Sequence, residues 1–180
     1  MRRNLIIILL SLSVVMSEGC DGPLLRYRMR QVYRNVIKLP ERVHVVNNGV
    51  YEEVSYIDFS LPAMLVFIDS TTCTPCLMSR LLIYEDIIDI SKNEKNFQVI
   101  ILVSSTREDL PLVIKTLQLA EYPFPVFLDI DNHFRQDNPF LPDDGRFHSL
   151  FLDTTGRPLL IGDPIDAKVK NLLLNRIQTL

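Results

Sequence analysis

The chain has 180 residues, 47% of them hydrophobic and 23% charged, with a formal net charge of −3. This is an ordinary globular composition without a low-complexity tract or internal repeat, and nothing in it suggests a nucleic-acid partner, which would want a basic body. The length suits one domain with an extension, large enough to bury a core without disulfide staples.

Residues 1–20 read MRRNLIIILLSLSVVMSEGC. Arg2 and Arg3, a short apolar run from Leu5 to Met16, and small or polar residues before Cys20 describe an export signal. The run is too short to span a membrane, which takes about 20 apolar residues. Ser17-Glu18-Gly19-Cys20 resembles a bacterial lipoprotein cleavage box, with Ser17 where such boxes usually carry leucine. The expectation is a signal peptide over 1–19 and a mature chain that begins at lipidated Cys20; plain secretion and a buried cytosolic helix are the alternatives. Without residues 1–19 the chain loses Arg2, Arg3 and Glu18, leaving 17 basic and 21 acidic side chains.

A helix is predicted next, with Leu25, Met29, Val32, Tyr33 and Val36 at helical spacing, Pro23 in its first turn and Pro40 beyond its end. Arg26, Arg30, Arg34 and Lys38 recur every four residues and form a basic stripe. Such a face suits an anionic membrane, or more plainly solvent. RVHVVNNGVYEEV reads as a hairpin about Asn48-Gly49. Helix and hairpin form an extension over 20–62, and a main domain follows over 63–180.

LPAMLVFID is a continuous apolar run that fits a buried central strand. It leads into DSTTCTPC (69–76), and a helix is predicted through Leu77, Leu81, Leu82, Tyr84, Ile87 and Ile88. FQVIILVSS is a second buried strand. Thr106 with Asp109 marks a helix start, and the helix runs over 110–119. PVFLD is a third strand, and a polar loop is expected from there to about Arg146. FHSLFLD and RPLLIG form a hairpin through Thr154-Thr155-Gly156, and Asp163-Pro164 is expected to cap a last helix. Alternating buried strands and helices argue α/β with a parallel part.

Cys73 and Cys76 enclose two residues, one of them Pro75. At a strand end that opens a helix, Cys73 sits among unpaired backbone amides whose field favours a thiolate. Cys76, one turn on, is close enough to resolve a mixed disulfide, and Pro75 fits a first helical turn. So close a pair closes too small a loop to be a useful structural staple. A metal site needs two further ligands, and His44, His133 and His148 show no ligand spacing. Two inert buried thiols are the remaining reading. DIDNHFRQD offers Asp129 and Asp131 as a calcium loop would, but Phe134 replaces the required glycine and Phe140 the closing acid. No cofactor and no metal are expected.

The strand, Cys-x-x-Cys, helix order, followed by FPVFLDIDN and the closing LFLDTTGRPLLIG hairpin, resembles the thioredoxin-like superfamily over about residues 63–178. The closer similarity is to extracytoplasmic, membrane-tethered thiol–disulfide oxidoreductases of the TlpA type. The resemblance implies an α/β, thioredoxin-like fold: a central mixed sheet flanked by helices, here with an N-terminal helix and β-hairpin extension. It implies disulfide exchange on protein or small-thiol substrates, with electrons from an upstream membrane donor. With the lipid anchor, it places the protein on a membrane of a bacterial cell envelope, facing the periplasm.

Three departures qualify the resemblance. The family's cis-proline falls near Phe147, in Arg146-Phe147-His148, with no proline present. Thr72 stands where tryptophan usually precedes the first cysteine, and Phe67 stands where thioredoxin has a buried acid. His148 becomes a candidate for proton transfer or thiolate tuning, against the plainer reading of a polar residue at a strand end. Two other readings stand beside the oxidoreductase. One is a non-catalytic binding module with a structural disulfide. The other is a thiol peroxidase, whose proline seven residues before the cysteine is here Val66.

Overall fold

The computed structural model describes residues 21–69 and 81–179. The described residues open with helix α1 (Asp21–Arg34). A hairpin follows, of β1 (Val43–Asn47) and β2 (Val50–Ser55). Asn48 and Gly49 between them have φ of 48° and 74°. Two successive positive φ values make the tight turn whose twist matches paired strands, as the Asn-Gly signal predicts.

The parallel part comes next. Strand β3 (Ala63–Ile68) pairs in parallel with β4 (Gln98–Ser105), and β4 with β5 (Val126–Ile130). Helix α2 (Glu85–Glu94) lies between β3 and β4, and α3 (Leu110–Ala120) between β4 and β5. Strands β6 (Ser149–Leu152) and β7 (Pro158–Ile161) close the sheet as an antiparallel hairpin, and α5 (Ala167–Ile177) ends the described chain. The sheet has seven strands in the order β2-β1-β5-β4-β3-β6-β7, and β1 joins β5 antiparallel.

Every residue of β3 is buried, because paired strands flank it and helices cover both of its faces. Its side chains alternate. Val66 and Ile68 pack with Leu81, Tyr84, Ile88, Val113 and Leu117 from the α2 and α3 side. Ala63, Leu65 and Phe67 pack with Val32, Ile37, Phe134, Phe147 and Leu150 from the other. The inner face of α1, through Leu25, Met29 and Val32, thus completes one side of the core.

Four sequence expectations are corrected. Helix α1 ends at Arg34, so Val36 and Lys38 lie beyond it, and Tyr33 and Val36 are exposed instead of packing inward. The helix expected through 77–88 is interrupted: residues 81–82 are helical, 83–84 form a turn, and α2 starts afresh at Glu85. The buried Tyr84 ring sits at the break, and its hydroxyl donates to Asp163 at 3.1 Å. The polar loop before Arg146 contains a short helix, α4 (His133–Asp137), and a 3₁₀ turn (Gly145–Phe147). Asp166, not Asp163-Pro164, caps α5: its carboxylate accepts from the amides of Lys168 and Val169. The Thr106–Asp109 box forms as expected. The Thr106 hydroxyl donates to Asp109 at 2.7 Å and accepts from its amide at 3.1 Å.

Candidate functional site

The parallel strands end together at Ile68, Ser105 and Ile130, and the chain leaves β3 there toward the Cys-x-x-Cys stretch. Thr72, Cys73, Pro75 and Cys76 lie outside the described residues, as does Cys20. Phe147 and His148 lie within them, just before β6. Val66 pairs with Ser149, and the Phe67 amide donates to the His148 carbonyl at 2.7 Å. The described peptides contain no cis bond.

Phe147 is buried, held by the 3₁₀ turn. Asp144 caps that turn by accepting from the Arg146 amide. Its carboxylate also receives the Arg146 side chain on both oxygens, at 2.6–3.1 Å. These hydrogen bonds hold the Asp144 carboxyl down at about 2, against burial that raises it.

The Phe67 ring is enclosed. Phe134 packs on it at 4.8 Å between centroids, and His148 meets it edge-on at 5.6 Å. The Arg135 guanidinium lies over it at 5.2 Å. Arg135 is only 12% exposed, and its cation is thoroughly held. It donates to the Pro142 carbonyl at 3.1 Å, pairs with Asp143 at 3.2 Å, and reaches His148 Nε2 at 2.7 Å.

That last contact fixes chemistry. A guanidinium has donors only, so His148 Nε2 accepts. The imidazole is then neutral and carries its proton on Nδ1. With its Nε2 lone pair turned to Arg135, His148 presents a donor at Nδ1.

Asp129, fully buried at the end of β5, accepts from the amides of His133 at 3.1 Å and Phe134 at 2.9 Å. It holds the first turn of α4 in place, and so positions Arg135 one residue further on. Burial pushes the Asp129 carboxyl up, and the two amides oppose the shift. Asp131 pairs with Arg107. Among the described residues no three metal-ligating side chains come together. An open cleft of about 330 Å³ adjoins Phe147, lined also by Leu25, Met29, Ile161, Gly162 and Val169.

Sequence reasoning missed Arg135. It falls inside a stretch read as loop, thirteen residues before His148, and no spacing rule links an arginine to a histidine on another element. Its only local sign is the short His133–Asp137 helix, too brief to carry a period.

No family model matches the chain, and no curated protein does. Solved structures do. An uncharacterized thioredoxin-like protein of Porphyromonas gingivalis superposes with a TM-score of 0.50 at 14% identity, covering 81% of this chain and 93% of that one. A Chlorobium tepidum protein named as a thiol:disulfide interchange protein, DsbE, gives 0.48 at 18% identity, covering 79% and 96%. One of Bacteroides thetaiotaomicron, named as a protein disulfide isomerase, gives 0.48 at 14%, covering 80% and 88%. The fold of this chain is thioredoxin-like: a mixed sheet with helices on both faces.

Proposed function

We propose that the protein is a lipid-anchored thiol–disulfide oxidoreductase of the bacterial cell envelope, reducing disulfides of extracytoplasmic proteins through Cys73 and Cys76. One observation carries the reading. In a thioredoxin-like fold, the Cys-x-x-Cys follows the central strand β3 by a few residues in the sequence, and the carboxyl end of β3 lies beside Phe147 and His148.

In the proposed cycle the Cys73 thiolate attacks a substrate disulfide. One substrate sulfur leaves as a thiolate and takes a proton from solvent. Cys76 then attacks the mixed disulfide, releases the second substrate thiol and closes the Cys73–Cys76 bond. A dithiol donor in the membrane returns two electrons by the reverse exchanges and is itself oxidised to a disulfide. His148, neutral and proton-bearing at Nδ1, fits thiolate stabilisation better than proton abstraction.

The test is a redox titration of residues 20–180 carrying Cys20→Ser, which keeps every described element, read by alkylation and mass. A potential near that of thioredoxin, roughly −270 mV, supports the reductase. A pair that stays oxidised well below about −300 mV overturns it in favour of a binding module with a structural disulfide. That second reading draws on Phe147, a bulky buried side chain where the resemblance expects a substrate-facing proline.

A further inference from the structure

The two faces of α1 differ sharply. Leu25, Met29 and Val32 turn inward onto the core. Arg26, Tyr27, Arg30, Tyr33 and Arg34 turn outward, all exposed, with Tyr27 at 60% and Tyr33 at 41%. Positions 26, 30 and 34 stack at four-residue intervals, and the tyrosines sit beside them at 27 and 33. The three arginines therefore form one ridge, about 12 Å long at 1.5 Å per residue. Among the described residues, none of the three makes an ion pair. The flanking acids are already engaged. Asp144 is bound by Arg146 and Asp143 by Arg135.

This concentration of charge runs against the molecule as a whole, whose formal net charge is −3. An extended polyanion that reached past the helix would meet an acidic body. A flat anionic layer touching only the ridge would not. Arginines spread along one face, with tyrosines whose rings are apolar and whose hydroxyls are polar, match the headgroup level of a bilayer.

We infer that the outer face of α1 docks on an anionic phospholipid surface and lays the domain against the membrane in one orientation. The inference rests on the envelope location proposed above, and it adds a consequence for the site. Helix α1 shares the Phe147 cleft through Leu25 and Met29. Beyond its carboxyl end, the Ile37 amide donates to the Gly156 carbonyl in the β6–β7 turn. The helix thus runs from the site end of the sheet toward the opposite end. A lipid on Cys20, next to Asp21, would enter at the site end, so anchor and ridge together keep the site close to the bilayer.

The experiment uses the unlipidated chain 20–180 with Cys20→Ser, so that no acyl anchor contributes. Its partitioning is measured by sedimentation with vesicles of phosphatidylcholine containing one-third phosphatidylglycerol, and with pure phosphatidylcholine. Each arginine near such a surface contributes roughly fivefold, so Arg26→Gln, Arg30→Gln and Arg34→Gln together are expected to weaken anionic-vesicle binding by about a hundredfold. Circular dichroism of the variant should match the parent. High salt should release the parent, and pure phosphatidylcholine should not hold it. Equal partitioning of variant and parent overturns the inference. So does retention on heparin without vesicle binding, which would assign the ridge to an acidic macromolecule. The cysteine potential is read separately on the same two chains. A working redox pair with no lipid binding refutes only the docking, and lipid binding with an irreducible disulfide refutes only the redox reading.

Discussion

Asn138 is fully buried and behaves like a piece of strand. Its carbonyl accepts from the Lys38 amide at 2.9 Å, and its NH2 donates to the carbonyls of Lys38 at 2.8 Å and Phe134 at 2.7 Å. One side chain thereby ties the segment after α1 to the end of α4. Asn138→Ala leaves both Lys38 backbone groups without a partner and is expected to cost about 2–3 kcal/mol in urea unfolding. A loss below about 0.5 kcal/mol would show that water takes over both bonds. The Arg135–His148 contact gives a second prediction. Nitrogen NMR of His148 should report the proton on Nδ1. Arg135→Ala should remove the donor at Nε2 and so let the tautomer mixture shift toward the Nε2-protonated form. A parent spectrum with the proton on Nε2 would reverse the assignment. The place of His148 just before β6 was legible in the sequence, because the FHSLFLD run marks that strand. Arg135 and Asn138 were not, since each acts across a contact between segments distant in the chain.

Short-range signals served the elements well. Asn48-Gly49, the Thr106–Asp109 box and the continuous apolar runs of β3 and β4 each form what they announce, because their causes lie within a few residues. The break at 83–84 and helix α4 have non-local causes: a tyrosine held by Asp163, and a buried aspartate that caps from the preceding strand. The β6–β7 turn shows how tightly elements meet. Gly156 has φ +81°, and a Cβ there would stand 2.6 Å from the Ile37 carbonyl oxygen. Gly156→Ala combines strain with a backbone clash, and should cost more than about 1 kcal/mol in the urea midpoint. Gly145→Ala, with nothing within 4 Å, is the control and should change stability by less than about 0.5 kcal/mol. Equal effects would mean that the Gly156 contact relaxes freely.

At the scale of the molecule, the sheet unites segments that the sequence presents separately. The α/β alternation made the parallel centre legible. The antiparallel addition of β1 to β5 was not, because nothing local to either strand selects that neighbour. Residues 21–40 are equally tied to the body: Val32 is 0% and Ile37 4% exposed. Burying two such side chains is worth about 3–6 kcal/mol together. A chain of residues 41–180 is therefore expected to melt roughly 10–20 °C below residues 20–180 by calorimetry. A difference of only a few degrees would show that α1 rests on a core complete without it.

The clasp between Lys38 and Asn138 also sets an order of events, since its two halves lie 100 positions apart. A chain that appears amino end first shows α1 long before Phe134, Asn138, Phe147 and Gly156 exist to receive it. Through most of synthesis its apolar stripe has no seat, while its arginines are complete from the start. The helix is synthesised before the part of the domain that seats it. The last third of the chain, by arriving, turns it from a loose amphipathic segment into a wall of the core.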